Sequence, residues 1–181
     1  DSAAYYASKV LYDQSNYHLD TDLHHIYDVD YPDGPEHIFI MSGDRTGTSE
    51  GNYSKIGMMF HPWVDGVPFY IKNPDGTFTY ATNGWDVFRT NSAFYNTFAG
   101  NDKRKTELIV SSVYNSSGAL AGSVGGKFMY PFTRKYVDPK FVGEKSSARP
   151  YLIRFSEVAL IYAEAVGPTE QGYYWVNQIR N

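Results

Sequence analysis

Glu157 and Glu164 stand seven residues apart in RPYLIRFSEVALIYAEA, Arg149 to Ala165, a segment whose apolar residues recur at helical spacing. Paired carboxylates are the chemistry of glycosidic-bond hydrolysis, one protonating the leaving oxygen and the other acting as base or nucleophile, provided both converge on one bond. Seven residues along one helix set their backbones about two turns apart, roughly 10 Å. That is a poor start for a convergent pair. Arg154, three residues before Glu157, accounts for that glutamate as a local ion pair, and a basic or backbone donor is expected beside Glu164.

Other reactive residue types carry weaker signals. His18, His24, His25, His37 and His61 show no His-Glu-x-x-His or other compact zinc spacing. Asp28, Asp30 and Asp33 in DVDYPDG offer hard oxygen donors, but no glutamate closes an EF-hand loop and Pro-Asp-Gly already explains a turn. GALAGSVGG lacks the lysine and the strand-to-helix setting of a phosphate loop, and Ser111, Ser112 and Ser116 have no nucleophile context. No metal or cofactor is expected. With no cysteine, the chain has neither disulfides nor a thiolate nucleophile.

The elements that must position any site follow from periodicity. Ala3, Ala7, Val10 and Leu11 predict a helix over Ser2–Gln14, and Glu36–Met41 reads as a short extended run after the turn PDGP. Residues 42–87 form an irregular, aromatic-rich excursion with one hairpin expected around Pro74-Asp75-Gly76. Asn91 or Thr90 caps a short helix to Ala99, and DKRK, Asp102 to Lys105, sits where cations suit a helix end. Glu107–Tyr114 and KFMYPFTRKYV predict two strands, bent at Pro131 and pairing across a flexible NSSGALAGSVGG connector. The segment from Arg149 predicts a helix ended by Gly167-Pro168, and YYWVNQIR begins its antiparallel partner.

Composition bounds the partners. Net charge is -4 over 181 residues, which gives no electrostatic reason to expect nucleic acid or an anionic membrane surface. No run of about twenty apolar residues is available to span a bilayer, so the segment itself is expected to be soluble. Aromatics are 17% of the chain, with 17 tyrosines, so much of the apolar surface carries a polar tip.

Arg154-Phe-Ser-Glu157-Val-Ala-Leu-Ile-Tyr-Ala163-Glu164-Ala165, followed by Trp-Val-Asn177-Gln-Ile-Arg180, resembles the C-terminal signature of SusD/RagB-type proteins. Gly84-Trp85, Asp102-Lys103-Arg104, Lys135-Tyr136 and YYASKVLYDQSNYHL extend the resemblance in order along nearly the whole chain. It implies a mainly α fold with tetratricopeptide-like helix pairs, long irregular loops and a few short strands. It also implies that residues 1–181 are one incomplete domain, lacking sequence at both ends. The implied function is noncatalytic glycan capture by a surface lipoprotein of the outer membrane in Bacteroidetes-type bacteria, with oligosaccharide passed to a TonB-dependent SusC-like transporter. Trp85, Arg104, Tyr136, Arg154, Glu157, Glu164 and Arg180 then read as structural positions.

A sugar's C–H-rich face packs on a flat ring while nearby amides satisfy its hydroxyls. Trp63, Phe69, Tyr70 and Tyr80 are the candidate rings, and Asn73 and Asn83 the candidate amides. Two other readings stand beside this one. A glycoside hydrolase needs convergent carboxylates beside the aromatics; a helical protein-interaction module needs an exposed apolar patch without a sugar-like polar network.

Overall fold

The computed structural model describes residues 2–14, 16–49 and 51–180. In chain order its elements are α1 (Ser2–Tyr12), α2 (Leu23–Tyr27), β1 (His37–Ile40), α3 (Ile56–Phe60), β2 (Phe69–Lys72), β3 (Phe78–Ala81), α4 (Ser92–Thr97), α5 (Lys103–Leu108), β4 (Ile109–Val110), β5 (Ser112–Tyr114), β6 (Leu120–Ser123), β7 (Phe132–Thr133), β8 (Tyr151–Arg154), α6 (Phe155–Val166) and α7 (Glu170–Arg180). The fold is mainly helical with short antiparallel strands, and among the described residues the strands close no barrel. Contacts divide the chain into two compact units.

The first unit comprises Asp1–Ile26, Tyr31–Met41 and Tyr151–Asn181. Its core joins Ala7 and Leu11 of α1 to Phe155, Val158, Ala159 and Ala163 of α6 and Trp175 of α7. The Trp175 indole meets Phe155 edge-on at 5.8 Å and donates to the Tyr12 hydroxyl at 2.8 Å, so its polar atom is satisfied beside the core. α6 and α7 form the expected helix hairpin. Gly167 ends α6 at φ 68°, and its N–H donates to the carbonyls of Ala163 and Glu164. A side chain at Gly172 would reach 2.4 Å from the Gly167 carbonyl oxygen, so that position of α7 fits only a glycine.

The opening of α6 departs from the periodic pattern. Residues 151–154, expected to be helical, form β8 against β1, with His37 opposite Arg154 and Ile40 opposite Tyr151. Helical spacing is ambiguous over four residues, and the cross-strand ladder supplies the partners that decide it. Arg154 is the extended residue before α6, and its side chain caps nothing. Glu36, in a distant loop, does that work instead. Its carbonyl accepts the Phe155 N–H at 2.9 Å, and its buried carboxylate accepts from the Ser156 hydroxyl at 2.8 Å, Arg154 Nη1 at 3.4 Å and the Asp20 N–H at 3.1 Å. The ion pair placed at Arg154 is therefore with Glu36, where local pairing with Glu157 was expected. Glu157 lies exposed in the first turn of α6, where its charge suits the helix dipole, and Glu164 is exposed too, off the packed face. Arg180 occupies the last turn of α7, the favourable end for a cation.

The second unit comprises Tyr27–Asp30 and Ser42–Pro150. A four-stranded antiparallel sheet has the order β3-β2-β5-β6, and a two-stranded sheet pairs β4 with β7. The expected hairpin is β2–β3, in register from Phe69–Ala81 to Lys72–Phe78. Of the single strand expected over Glu107–Tyr114, Glu107 and Leu108 close α5, only Ile109 and Val110 pair with Thr133 and Phe132 as anticipated, and Ser112–Tyr114 join the four-stranded sheet. The glycine-rich connector is not simply flexible, because Leu120–Ser123 within it pairs with β5. Val64, Phe69, Ile71, Ala81, Val110, Val113, Phe128, Phe132 and Val137 make one core beneath the sheet.

The loops are tied by a buried polar knot. Asp138 accepts from Arg45 Nη1 at 2.7 Å, the Ser147 N–H at 2.7 Å and the Lys140 N–H at 2.9 Å. Arg45 also donates to Asp30, which receives Lys140 Nζ. These two cations hold the Asp30 carboxyl below its ordinary pKa, Lys140 first and Arg45 second, against a desolvation effect. Asp30 is thus engaged within the DVDYPDG turn. DKRK is corrected as well: it opens α5 rather than closing a helix. Asp102 is the N-cap, accepting from the Arg104 N–H and Nε at 2.9 Å each, and this carboxylate offsets cations placed at the unfavourable end.

Removing the Glu36 carboxylate takes away the acceptor of the Ser156 hydroxyl and of the Asp20 N–H and a charge partner of Arg154, while the backbone carbonyl still receives the Phe155 N–H. Glu36→Ala is expected to cost roughly 3 kcal/mol of stability. Glu157→Gln and Glu164→Gln, at exposed positions, should stay within about 0.5 kcal/mol. Urea denaturation midpoints of the three variants check this ranking, and equal losses in all three would contradict it.

Candidate functional site

The sheet of the second unit has two chemically different faces because side chains alternate along a strand. In β2, Phe69 and Ile71 are buried while Tyr70 is half-buried and Lys72 exposed. Register carries this split across the sheet: Tyr70 lies opposite Tyr80 on one side and Tyr114 on the other, and Lys72 lies opposite Phe78. The rings of Tyr70 and Tyr80 stand 5.0 Å apart at 42°, Tyr80 continues to Phe141 at 5.2 Å and 30°, and Phe78 meets Tyr114 edge-on at 5.5 Å. Phe78 and Tyr80 are about two-fifths exposed. The outer face is therefore an aromatic surface backed by a packed core.

Trp63 occupies a separate turn and is the more open ring, 59% exposed. Its turn runs from Val64 to Val67, with Asp65 at φ 53° and Gly66 at φ 73° as a type I′ turn requires, and the Val67 N–H donates to the Val64 carbonyl at 3.2 Å. The indole lies over Gly66, where an added Cβ would come within 3.1 Å of the ring. Asn83 anchors this turn from below: its Oδ1 accepts the Val64 N–H, and its Nδ2 donates to the Gly84 carbonyl.

Of the six candidate ligand residues, then, the structure brings Tyr70 and Tyr80 together, leaves Trp63 on its own turn and turns three inward. Phe69 is 1% exposed and packs against Phe132, since it shares the core side of β2 with Ile71. Asn83 is buried and committed to the Trp63 turn. Asn73 is half-buried, its amide spent on Thr77, Thr79 and Arg134 within the hairpin. Phe78, Tyr114 and Phe141 were missed. A register-aware reading of the predicted hairpin would have found Phe78, whereas Tyr114 and Phe141 come from strand and loop partners that no local pattern specifies.

The Gly84-Trp85 pair has a backbone explanation. Residues 84–88 run against the C-terminal end of α3, their N–H groups donating to the carbonyls of Pro62, Met58, His61 and Met59. A Cβ at Gly84 would lie 2.2 Å from the His61 carbonyl oxygen. Trp85 is 41% exposed, with Lys55 Nζ 5.9 Å from its ring centre, so packing covers only part of it. Tyr136 stacks near Phe60 at 4.8 Å, and Arg104 is held by Asp102 at the start of α5.

His61 itself is fully buried. Nδ1 donates to the Thr82 carbonyl at 2.9 Å, and Nε2 has no partner among the described residues. Burial lowers its pKa to about 4, against the opposing hydrogen bond to Thr82, so the ring is neutral near pH 7. Among the described residues no group of three or more histidine, aspartate or glutamate side chains could hold a metal ion. No described helix is long and apolar enough to cross a membrane.

A concavity adjoins the aromatic face. A cleft of about 210 Å³ is lined by Lys72, Tyr114, Ser112, Glu107 and Arg134, among others, where the chain passes from β4 to β5 and so from one sheet to the other.

Comparison with known proteins now places the chain. The model of the SusD family matches residues 94–181. Surface glycan-binding protein A from Bacteroides uniformis superposes with a TM-score of 0.70 at 16% identity, covering 99% of this chain and 36% of that one. The same-named protein from Bacteroides thetaiotaomicron, solved in complex with laminarihexaose, gives 0.70 at 14% identity and covers 99% and 42%. A SusD superfamily protein from Parabacteroides distasonis gives 0.65 at 21% identity and covers 98% and 37%. No curated protein matches the sequence. The fold is that of SusD-like proteins, and residues 94–181 match the model of the SusD family. The chain spans well under half the length of these solved structures.

Two measurements probe this framework. Gly84→Ala should cost about 3 kcal/mol, because backbone rather than a flexible side chain blocks the added methyl; an unchanged melting temperature would refute the close approach. His61 has a folded pKa below its unfolded value, so its stabilisation is complete above about pH 6.5 and declines as pH falls toward 4. The wild type should lose up to about 3 kcal/mol across that window, and His61→Gln should flatten this part of the curve. Identical slopes in the two proteins would contradict a buried neutral histidine.

Proposed function

We propose that this chain is part of a noncatalytic glycan-binding protein of an outer-membrane carbohydrate uptake system, and that the aromatic outer face of its sheet contacts the sugar. The observation that carries this reading is the cross-strand set Tyr80, Tyr70 and Tyr114, flanked by Phe78 and Phe141. Three neighbouring strands hold these rings about 10 Å across. A saccharide lying over them buries its C–H faces on the rings while its hydroxyls stay available to water and to polar groups at the rim. Trp63 supplies a separate, more exposed stacking position. Such recognition makes and breaks no bond.

Support for the carbohydrate class comes from the family segment and from fold neighbours whose names describe surface glycan binding. In this reading the complete protein is a lipid-anchored lipoprotein at the cell surface that passes oligosaccharide to a TonB-dependent SusC-like transporter. The two glutamates of α6 lie exposed two turns apart, a geometry that does not favour the hydrolase alternative.

A glycan array with the full-length protein tests the surface. Tyr70→Ala and Tyr80→Ala are each expected to weaken the leading ligand about tenfold or more, and Trp63→Ala to weaken it less if the sheet face dominates. Undiminished binding in all three variants would reject the site. New reducing ends after prolonged incubation would reject the noncatalytic reading.

A further inference from the structure

The cleft beside the aromatic face has a charge arrangement that ring stacking does not use. Arg134 leaves β7 and reaches across to the β2–β3 hairpin, where its Nη2 donates to Asn73 Oδ1 and to Thr79 Oγ1. Both acceptors are neutral, and among the described residues no carboxylate forms an ion pair with this guanidinium. Burial holds its pKa below the ordinary arginine value, while the charges of Glu107 and Asp75 act in the opposite sense. Lys72 brings a second cation to the lining against one carboxylate, Glu107, so the walls carry a net positive charge. A half-buried guanidinium with donors turned to neutral oxygens is the kind of group that a carboxylate completes, through two parallel charge-assisted hydrogen bonds.

Continuity with the aromatic face identifies the carrier of that carboxylate. Tyr114 belongs to both features: it lies opposite Tyr70 in the sheet and also lines the cleft. Lys72 likewise follows Tyr70 by two residues along the same outer side of β2. Tyr114 and Lys72 therefore border both the tyrosine face and the cleft. We propose that this cleft is a subsite for the carboxylate of an acidic sugar, such as a uronic or sialic acid residue, within a glycan whose neighbouring residues lie on the tyrosine face. The inference rests on the glycan-binding reading above and adds the charge class of the ligand.

Pairs of oligosaccharides decide it. Uronate- and sialate-containing oligosaccharides, each beside its carboxyl-reduced counterpart, are titrated calorimetrically into the full-length protein. At least one acidic member is expected to bind about tenfold or more tightly than its reduced form. Arg134→Gln and Lys72→Gln should shrink that ratio toward one, Arg134→Lys should keep part of it, and Tyr70→Ala should weaken both members of the pair alike. The inference is overturned if no acidic member binds more tightly than its reduced form, or if the ratio survives in both R134Q and K72Q. Should R134Q fail to fold, K72Q at its exposed position and R134K carry the decision, and an unchanged ratio in both overturns it. Binding of neutral sugars alone sinks this inference and leaves the glycan-binding reading standing; binding of no saccharide sinks both.

Discussion

The Asp138 carboxylate is the constraint on which the second unit depends. It is almost fully buried, and its acceptor capacity goes to Arg45 Nη1 and to the backbone N–H groups of Lys140 and Ser147. Segments so poor in regular structure cannot satisfy their own backbone, and each buried N–H or carbonyl left unpaired costs as much as a lost hydrogen bond. One carboxylate gathers residues 138–147 around itself and, through Arg45, reaches Asp30 as well. Arg149 extends the same device by donating to the Val29 carbonyl at 2.7 Å. Polar loops thereby become ordered without a regular element, and Phe141 within them is set against Tyr80 on the aromatic face.

Glu36 performs the same task in the first unit, although the sequence hides it. The recognisable signature around Arg154 and Glu157 directs attention to a local pair three residues apart. The acceptor that matters comes from 118 residues away along the chain. Local charge patterns report what two side chains can reach on an isolated helix. They say nothing of a strand such as β1 that pulls the preceding four residues out of the helix and delivers a buried carboxylate to its first turn.

Legibility followed the same division. Helices α1, α6 and α7 and the β2–β3 hairpin have strong local signals: apolar residues at helical spacing, Gly167-Pro168 and Pro-Asp-Gly. Elements of five or six residues, such as α2, α3 and α5, carry too few turns for periodicity to register, and β6 is masked by its glycines. The site was half visible for a physical reason. A strand divides adjacent residues between core and surface, so in PFYIK the aromatics Phe69 and Tyr70 are equal candidates by composition and opposites by position. Only the register with Ala81 and Tyr80 tells them apart.

That alternation also bears on how selective the surface can be. Rings on a mobile loop adapt to many ligands, whereas rings on paired strands are spaced by the hydrogen-bond ladder and held from beneath by their neighbours in sequence. Tyr70 is fixed because Phe69 and Ile71 on either side of it are anchored in the core. Its spacing to Tyr80 and Tyr114 is consequently a property of the backbone, and the glycan proposed to lie there has to match that spacing rather than impose its own. The Trp63 indole follows different rules, resting on a four-residue turn that is anchored by Val64 in the core and by Asn83. On the proposed glycan-binding reading, the tyrosine row on paired strands is a fixed part that measures the repeat of a polymer, and the separately mounted tryptophan an independent part that meets its variations.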